Sequence, residues 1–252
     1  MGNFIRKYWK TLLFFGIVGL AGGFFTGLYL LDSYPVEIQQ QIYAQGLNDV
    51  LLGLITAVQS AGYGIVLGAL GIFLGKKIGL WKDERTLAKA PLLITLLISI
   101  GGGMVLILSD VLFFGQYSDV IMDSYAAKPT IAYMIAMVLY GGILEEVMLR
   151  LFFLSLVAFL LHKLFCKKSE YPTDGILIAA NVVAALLFAA GHLPATAILM
   201  GITPMILFRC FLLNGGFGLL FGWLYRKFGL RYAMLAHGGC HIVSKLIWIL
   251  FI

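Results

Sequence analysis

From Thr130 to Phe165 the chain stays apolar almost without a break. Near the middle of that run, in the stretch YGGILEEVMLRLFF, stand Glu145, Glu146 and Arg150. A helix rises about 1.5 Å per residue and a bilayer core is about 30 Å thick, so roughly 36 residues exceed one crossing. Two crossings with a turn at the glutamate pair would strand backbone N–H and C=O groups in lipid, and the pair has no turn chemistry around it. The run therefore reads as one long tilted or kinked helix, about 130–165, leaving the membrane near His162–Lys168. Ionisable side chains inside a bilayer cost at least a few kcal/mol each, so three within six positions require polar partners elsewhere in the chain.

The rest of the sequence supports a membrane setting. Of 252 residues, 61% are hydrophobic and 12% charged, and the mean hydropathy is +0.97. Soluble domains average about 45–50% apolar and about 25% charged. Further spans are expected at about Thr11–Leu31, Leu51–Leu74, Pro91–Phe114, from Ile176 or Ala180 to Pro194, Pro204–Tyr225 and Tyr232–Ile252. The first is too long for a signal-peptide core and lacks a small-residue cleavage site, so it reads as a retained span. The expected fold class is an all-α polytopic transmembrane bundle of about seven spans. It forms a single integral membrane domain over 1–252, with three N-terminal spans in 1–129 and a four-helix core in 130–252.

The net charge of +6 is unevenly spread. Most Lys and Arg fall in four clusters: Arg6/Lys7/Lys10, Lys76/Lys77/Lys82/Arg85/Lys89, Lys163/Lys167/Lys168 and Arg226/Lys227/Arg231. The intervening connections carry Asp32, Glu37, Asp49, Asp119 and Asp123, with Lys128 as their one basic residue. By the positive-inside rule the N-terminus is cytoplasmic and the C-terminus outside. The lipid bilayer accounts for the basic clusters, and no nucleic acid is needed. Cys166, Cys210 and Cys240 are odd in number and fit no disulfide or thiol metal motif, so they read as packing residues.

Within the core the polar residues form a set: Glu145, Glu146 and Arg150 on the fourth span, His192 on the fifth, His237 and His241 on the seventh. Glu146 and Arg150 are four apart and share a helix face, so they can pair. Glu145 is turned about 100° away and is left free. His237 and His241 also share one face. A carboxylate with imidazoles suits acid–base hydrolysis, in which one activates water and the others stabilise an oxyanion. The same residues suit zinc ligation. Asn181 reads as an interhelical hydrogen-bonding residue, His162 as part of the basic interface, and Arg209 and Lys245 as helix-end or snorkelling residues.

These motifs resemble the CPBP family, which comprises the type II CAAX prenyl endopeptidases and the bacteriocin-processing and Abi-type intramembrane proteases. The resemblance rests on E-E-x-x-x-R at Glu145–Arg150, F-x-x-x-H at Phe188–His192 and H-x-x-x-polar at His237–His241, in that order, and on the run GFGLLFGWLYRKFGLRYAMLAHGGCH. It covers about Gly141–Lys245. It implies an intramembrane endopeptidase in which Glu145 activates water, His192 helps hold that water, and His237 and His241 form the oxyanion site. Glu146, Arg150 and Phe188 would support them. No cofactor is implied.

One departure keeps a second chemistry open. The family usually has Asn where this chain has His241, and His241 with Glu145, His192 and His237 could ligate zinc in an intramembrane metalloprotease. A third reading is an ion- or proton-coupled transporter, which would favour acidic residues spread through the bilayer and paired broken helices. The expected partner is a peptide or membrane-anchored protein substrate, and the expected location a bacterial cell membrane. Depth poses a geometric problem, because His192 lies roughly 24 Å along a span starting at Ile176 and His237 only about 8 Å along its own. A start near Ala180 with a kink at Pro194 would narrow that gap.

Overall fold

The computed structural model describes residues 2–252 apart from 84–85 and 167. Met1, Glu84, Arg85 and Lys167 lie outside the described residues, so two members of the basic clusters are not placed. The helices in chain order are α1 (Gly2–Ser33), α2 (Val36–Ala44), α3 (Asp49–Lys77), α4 (Lys89–Leu112), α5 (Asp119–Asp123), α6 (131–165), α7 (Asp174–Gly191), α8 (Leu193–Met200), α9 (Pro204–Phe228) and α10 (Leu230–Phe251). No strand occurs among the described residues.

Local chemistry explains where several helices begin. Asn48 caps α3 by accepting from Leu51 N–H at 2.9 Å, and Thr130 caps α6 by accepting from Tyr133 N–H at 3.2 Å. Thr173 and Thr203 cap α7 and α9 in the same way, satisfying amide donors that a helix start would otherwise leave open. Pro204 then occupies the first turn of α9, where its missing N–H costs nothing. Between α9 and α10, Gly229 adopts a φ of +108° and its N–H bonds back to the carbonyls of Leu224 and Tyr225. A side chain would strain that turn.

Among the described residues six segments have the length and composition of membrane spans: α1, α3, α4 with the turn following it, α7 with α8, α9, and α10. The continuous α6 is the seventh long helix, as the sequence leads one to expect. Its residues 137–144 and 147–154 are π-helical, so wide turns flank the glutamate pair on both sides. Two short helices, α2 and α5, occupy what the hydropathy reads as plain connections. The bundle exterior is apolar, with Val58 69%, Leu97 61% and Leu112 64% exposed. Such a surface suits lipid rather than water.

With lipid outside, close packing and interhelical hydrogen bonds must hold the helices together. Gly19, Gly23 and Gly27 of α1 form a four-residue repeat against α3. A Cβ at Gly19 would meet Ser60 O at 2.5 Å, and Thr56 Oγ1 donates to Gly23 O at 2.7 Å. Helix α10 packs on α4 and α6, and it crosses α6 where Gly142 meets Gly238.

The basic clusters gather at one end of the bundle. Lys7 pairs with Asp83 at 2.7 Å, Lys82 Nζ donates to Lys227 O at 2.6 Å, and Arg226 lies 3.8 Å from Asp174. His162, expected among the interface residues, is instead 6% exposed and turns into the bundle. Arg209 is likewise not a snorkelling residue. It makes a two-point contact with the buried Asp110 of α4 at 2.5 Å, and Tyr125 OH donates to the same carboxylate at 2.7 Å. Asp110, an acid inside an apolar span, needs that partner.

The Gly142–Gly238 crossing carries a testable consequence. A Cβ at Gly142 would stand 2.6 Å from Gly238 Cα and 2.8 Å from its N, both backbone atoms, whereas a Cβ at Gly101 meets nothing within 4 Å. Gly142→Ala is expected to cost about 1–3 kcal/mol through overpacking. Gly101→Ala should be neutral or slightly stabilising, because alanine is the better helix former. Thermal unfolding of both purified variants in detergent checks this, and equal melting temperatures would rule the crossing out.

Candidate active site

Three helices bring the polar residues together, and the Gly142–Gly238 crossing sets which of them meet. Glu146 lies one turn beyond Gly142 on α6, and His237 is the neighbour of Gly238 on α10. Glu146 Oε1 sits 3.1 Å from Arg150 Nη1 and 2.9 Å from His237 Nδ1, with Glu146 wholly buried and Arg150 1% exposed. Arg150 Nη2 donates to Gly218 O of α9 at 3.4 Å. The guanidinium also lies over the rings of Phe188, 4.4 Å from the centroid, and Phe221, 5.6 Å away. A buried arginine facing two aromatic rings gains electrostatic attraction where water is absent.

His237 continues the chain of contacts. Its ring stacks on Phe221 at 4.6 Å and meets the edge of Phe188 at 5.9 Å. Its Nε2 lies 3.1 Å from His241 Nε2. With Glu146 ionised and both rings neutral, the tautomers follow from donor counting. His237 Nδ1–H donates to Glu146, so His237 Nε2 accepts, and His241 Nε2–H donates to it. The lone pair of His241 then sits on Nδ1, which is buried with no hydrogen-bond partner among the described residues, as is Glu146 Oε2. Gly141 makes room for His241, because a Cβ there would approach His241 Nε2 to 3.0 Å.

His192 arrives from α7. It caps that helix and its Nδ1–H donates to Phe188 O at 2.7 Å, which leaves its Nε2 as an acceptor. The late start near Ala180 expected for this span is not found, since α7 begins at Asp174. Pro194 falls in the first turn of α8, after the break at His192. Phe188 stands between the two histidines. Helical side chains lean toward their own N-terminus, and the Phe188 ring touches His192 at 4.7 Å on one side and His237 on the other. Small residues let α9 press against α7 behind it: Gly218 faces Ala185, and Gly222 faces Asn181, whose Nδ2 donates to Leu219 O at 3.0 Å.

Glu145 points elsewhere. It is half-buried and lies within electrostatic reach of Arg150, Tyr140 and Tyr29 of α1. Among the described residues no hydrogen bond joins it to His192, His237 or His241. The expected Glu146–Arg150 pair is therefore present, but the imidazole expected at Glu145 bonds to Glu146. Helix geometry alone separates the two glutamates by about 100° and is silent on which face α10 covers. As for metal, no group of three or more His, Cys, Asp or Glu among the described residues is arranged to hold an ion. Phe221 and the Gly218 carbonyl were not legible in the sequence as parts of the site, since an apolar residue and a backbone oxygen carry no signal of their own. The cysteines are free, with Cys210 donating to Ala189 O and Cys240 to Ile98 O.

Comparison with known proteins agrees with the motif reading. Residues 127–243, a little under half of the chain, match the family model described as type II CAAX prenyl endopeptidase Rce1-like. No curated protein and no solved structure matches the chain.

Removing one partner from a buried ion pair leaves a charge without compensation, at about 3–5 kcal/mol. Arg150→Met is expected to cost that much, and Glu146→Leu combined with Arg150→Met should recover most of it. Denaturant or thermal unfolding of the two variants decides the matter. A single variant as stable as the unsubstituted protein would contradict the pairing.

Proposed function

We propose that the protein, whose residues 127–243 match the Rce1-like family model, is an intramembrane endopeptidase that hydrolyses a peptide bond in a membrane-anchored substrate. Glu145 is the carboxylate that activates water, and His192, His237 and His241 line the site that receives the scissile carbonyl. The observation that carries this reading is the division of the glutamate pair. Glu146 is committed to Arg150 and His237, whereas Glu145, one residue earlier, is partly accessible.

The chemistry runs in two steps. Glu145 removes a proton from water as the oxygen adds to the peptide carbonyl carbon, giving a tetrahedral oxyanion. His241 Nε2–H, which His237 Nε2 accepts in the resting site, turns to the oxyanion. His237 stays neutral, its Nδ1–H on Glu146, and serves to orient His241 rather than to donate. When the C–N bond breaks, the proton held by Glu145 passes to the leaving amine and the carboxylate is restored. For the first step the Glu145 side chain turns from the Tyr29–Tyr140 side toward a water that His192 holds through its Nε2.

The protein needs no metal in this reading. The substrate is a peptide presented at the membrane, either a lipid-anchored C-terminus or a leader segment, and processing of a peptide leader is the preferred case. The basic end of the bundle with the N-terminus is assigned to the cytoplasmic side of a bacterial cell membrane.

The test is cleavage of a panel of lipid-anchored and leader peptides by the purified full chain, with Glu145→Ala in parallel. Loss of a general base is expected to slow cleavage by about 10²–10⁴-fold, with unchanged unfolding. Undiminished cleavage by the variant would overturn the role of Glu145. A chelator is expected to leave the rate unchanged, and inhibition reversed by added zinc would favour ligation by Glu145, His192, His237 and His241 instead.

A further inference from the structure

At the basic end, the start of α1, the α3–α4 loop and the α9–α10 turn enclose a cleft of about 560 Å³. Lys7, Lys10, Lys82, Lys227 and Arg231 line it, and Asp83 is the one acid among its described lining residues. Asp83 is already engaged. It accepts from Lys7 Nζ at 2.7 Å, Trp81 Nε1 at 2.7 Å and Tyr8 OH at 3.1 Å, and so organises the rim. The walls are tied across elements, with Lys82 Nζ donating to Lys227 O at 2.6 Å and Ala88 N–H donating to Tyr232 OH at 2.7 Å. Deeper in, the lining turns apolar at Phe15, Leu80, Leu230 and Met234.

A positive rim above an apolar floor, at the level where spanning helices leave the hydrocarbon, matches an amphiphile with a negative head. We propose that this cleft binds the phosphate headgroup of an anionic membrane lipid. Basic side chains of the rim contact the phosphate through charge-assisted hydrogen bonds, and the apolar floor takes the upper part of an acyl chain. Basic pockets between spanning helices are suited to such headgroups. An acidic peptide would satisfy the rim but leave the floor unused, which favours the lipid. The proposal stands independently of peptidase activity, because none of these residues belongs to the candidate active site.

Native mass spectrometry of the full chain in detergent reads the binding directly. Phosphatidylglycerol is expected to be retained and phosphatidylcholine with the same acyl chains released. Lys10→Ser combined with Lys227→Ser removes two exposed rim charges and is expected to weaken retention by about 30-fold, a factor of about five for each basic residue. Lys163→Ser combined with Lys168→Ser removes two charges at the same end outside the cleft and should leave retention unchanged. Soluble glycerol phosphate should fail to displace the lipid. Equal retention of the two lipids, equal losses in the two double variants, or displacement by glycerol phosphate or an acidic peptide alone would each overturn the site.

Discussion

The structure depends on how one buried carboxylate is compensated. Glu146 is wholly enclosed, and an ionised carboxylate there is tolerable only with partners that replace its lost hydration. Arg150 and His237 supply them, one from its own helix and one from α10. Because the second partner comes from another helix, the compensation is also a tertiary constraint: α6 and α10 must cross where the two side chains meet. The bare glycines at 141, 142 and 238 permit that crossing, and Phe188 and Phe221 enclose the ions from α7 and α9. The core is thus assembled around a polar network whose members fix one another.

That network organises the candidate chemistry without performing it. Glu146 at His237 Nδ1 sets the tautomer of the ring and passes a defined donor–acceptor order on to His241. A partner that fixes an imidazole in this way is a positioning group in the sense familiar from hydrolytic triads. Glu145 stands beside the network rather than in it. Two adjacent glutamates acquire different surroundings because the helix turns them toward different neighbours.

Much of this was legible in the sequence. Charges in an apolar run mark a functional core, i,i+4 spacing gives the Glu146–Arg150 pair, and Asn181 appears as the interhelical donor it was expected to be. Most span ends fell within a few residues of those expected, but α1 begins at Gly2, nine residues before the expected Thr11. What failed were statements about which face of a helix meets which neighbour. His237 was assigned to Glu145 because a helix pattern gives directions but not the rotation of one helix against another. His162 and Arg209 were assigned to interfaces because hydropathy does not reveal a buried partner, and in the case of Arg209 that partner is Asp110, nearly one hundred positions away.

The central claim is that the two adjacent glutamates divide the labour, with Glu146 holding the site together and Glu145 carrying out the proton transfer. It is tested most directly by measuring unfolding and single-turnover cleavage on the same preparations of Glu145→Gln and Glu146→Gln. The expected result is that Glu145→Gln retains stability and loses cleavage, while Glu146→Gln loses stability and retains measurable cleavage wherever it is folded. Full cleavage by Glu145→Gln, or a folded Glu146→Gln with no cleavage at all, would contradict it.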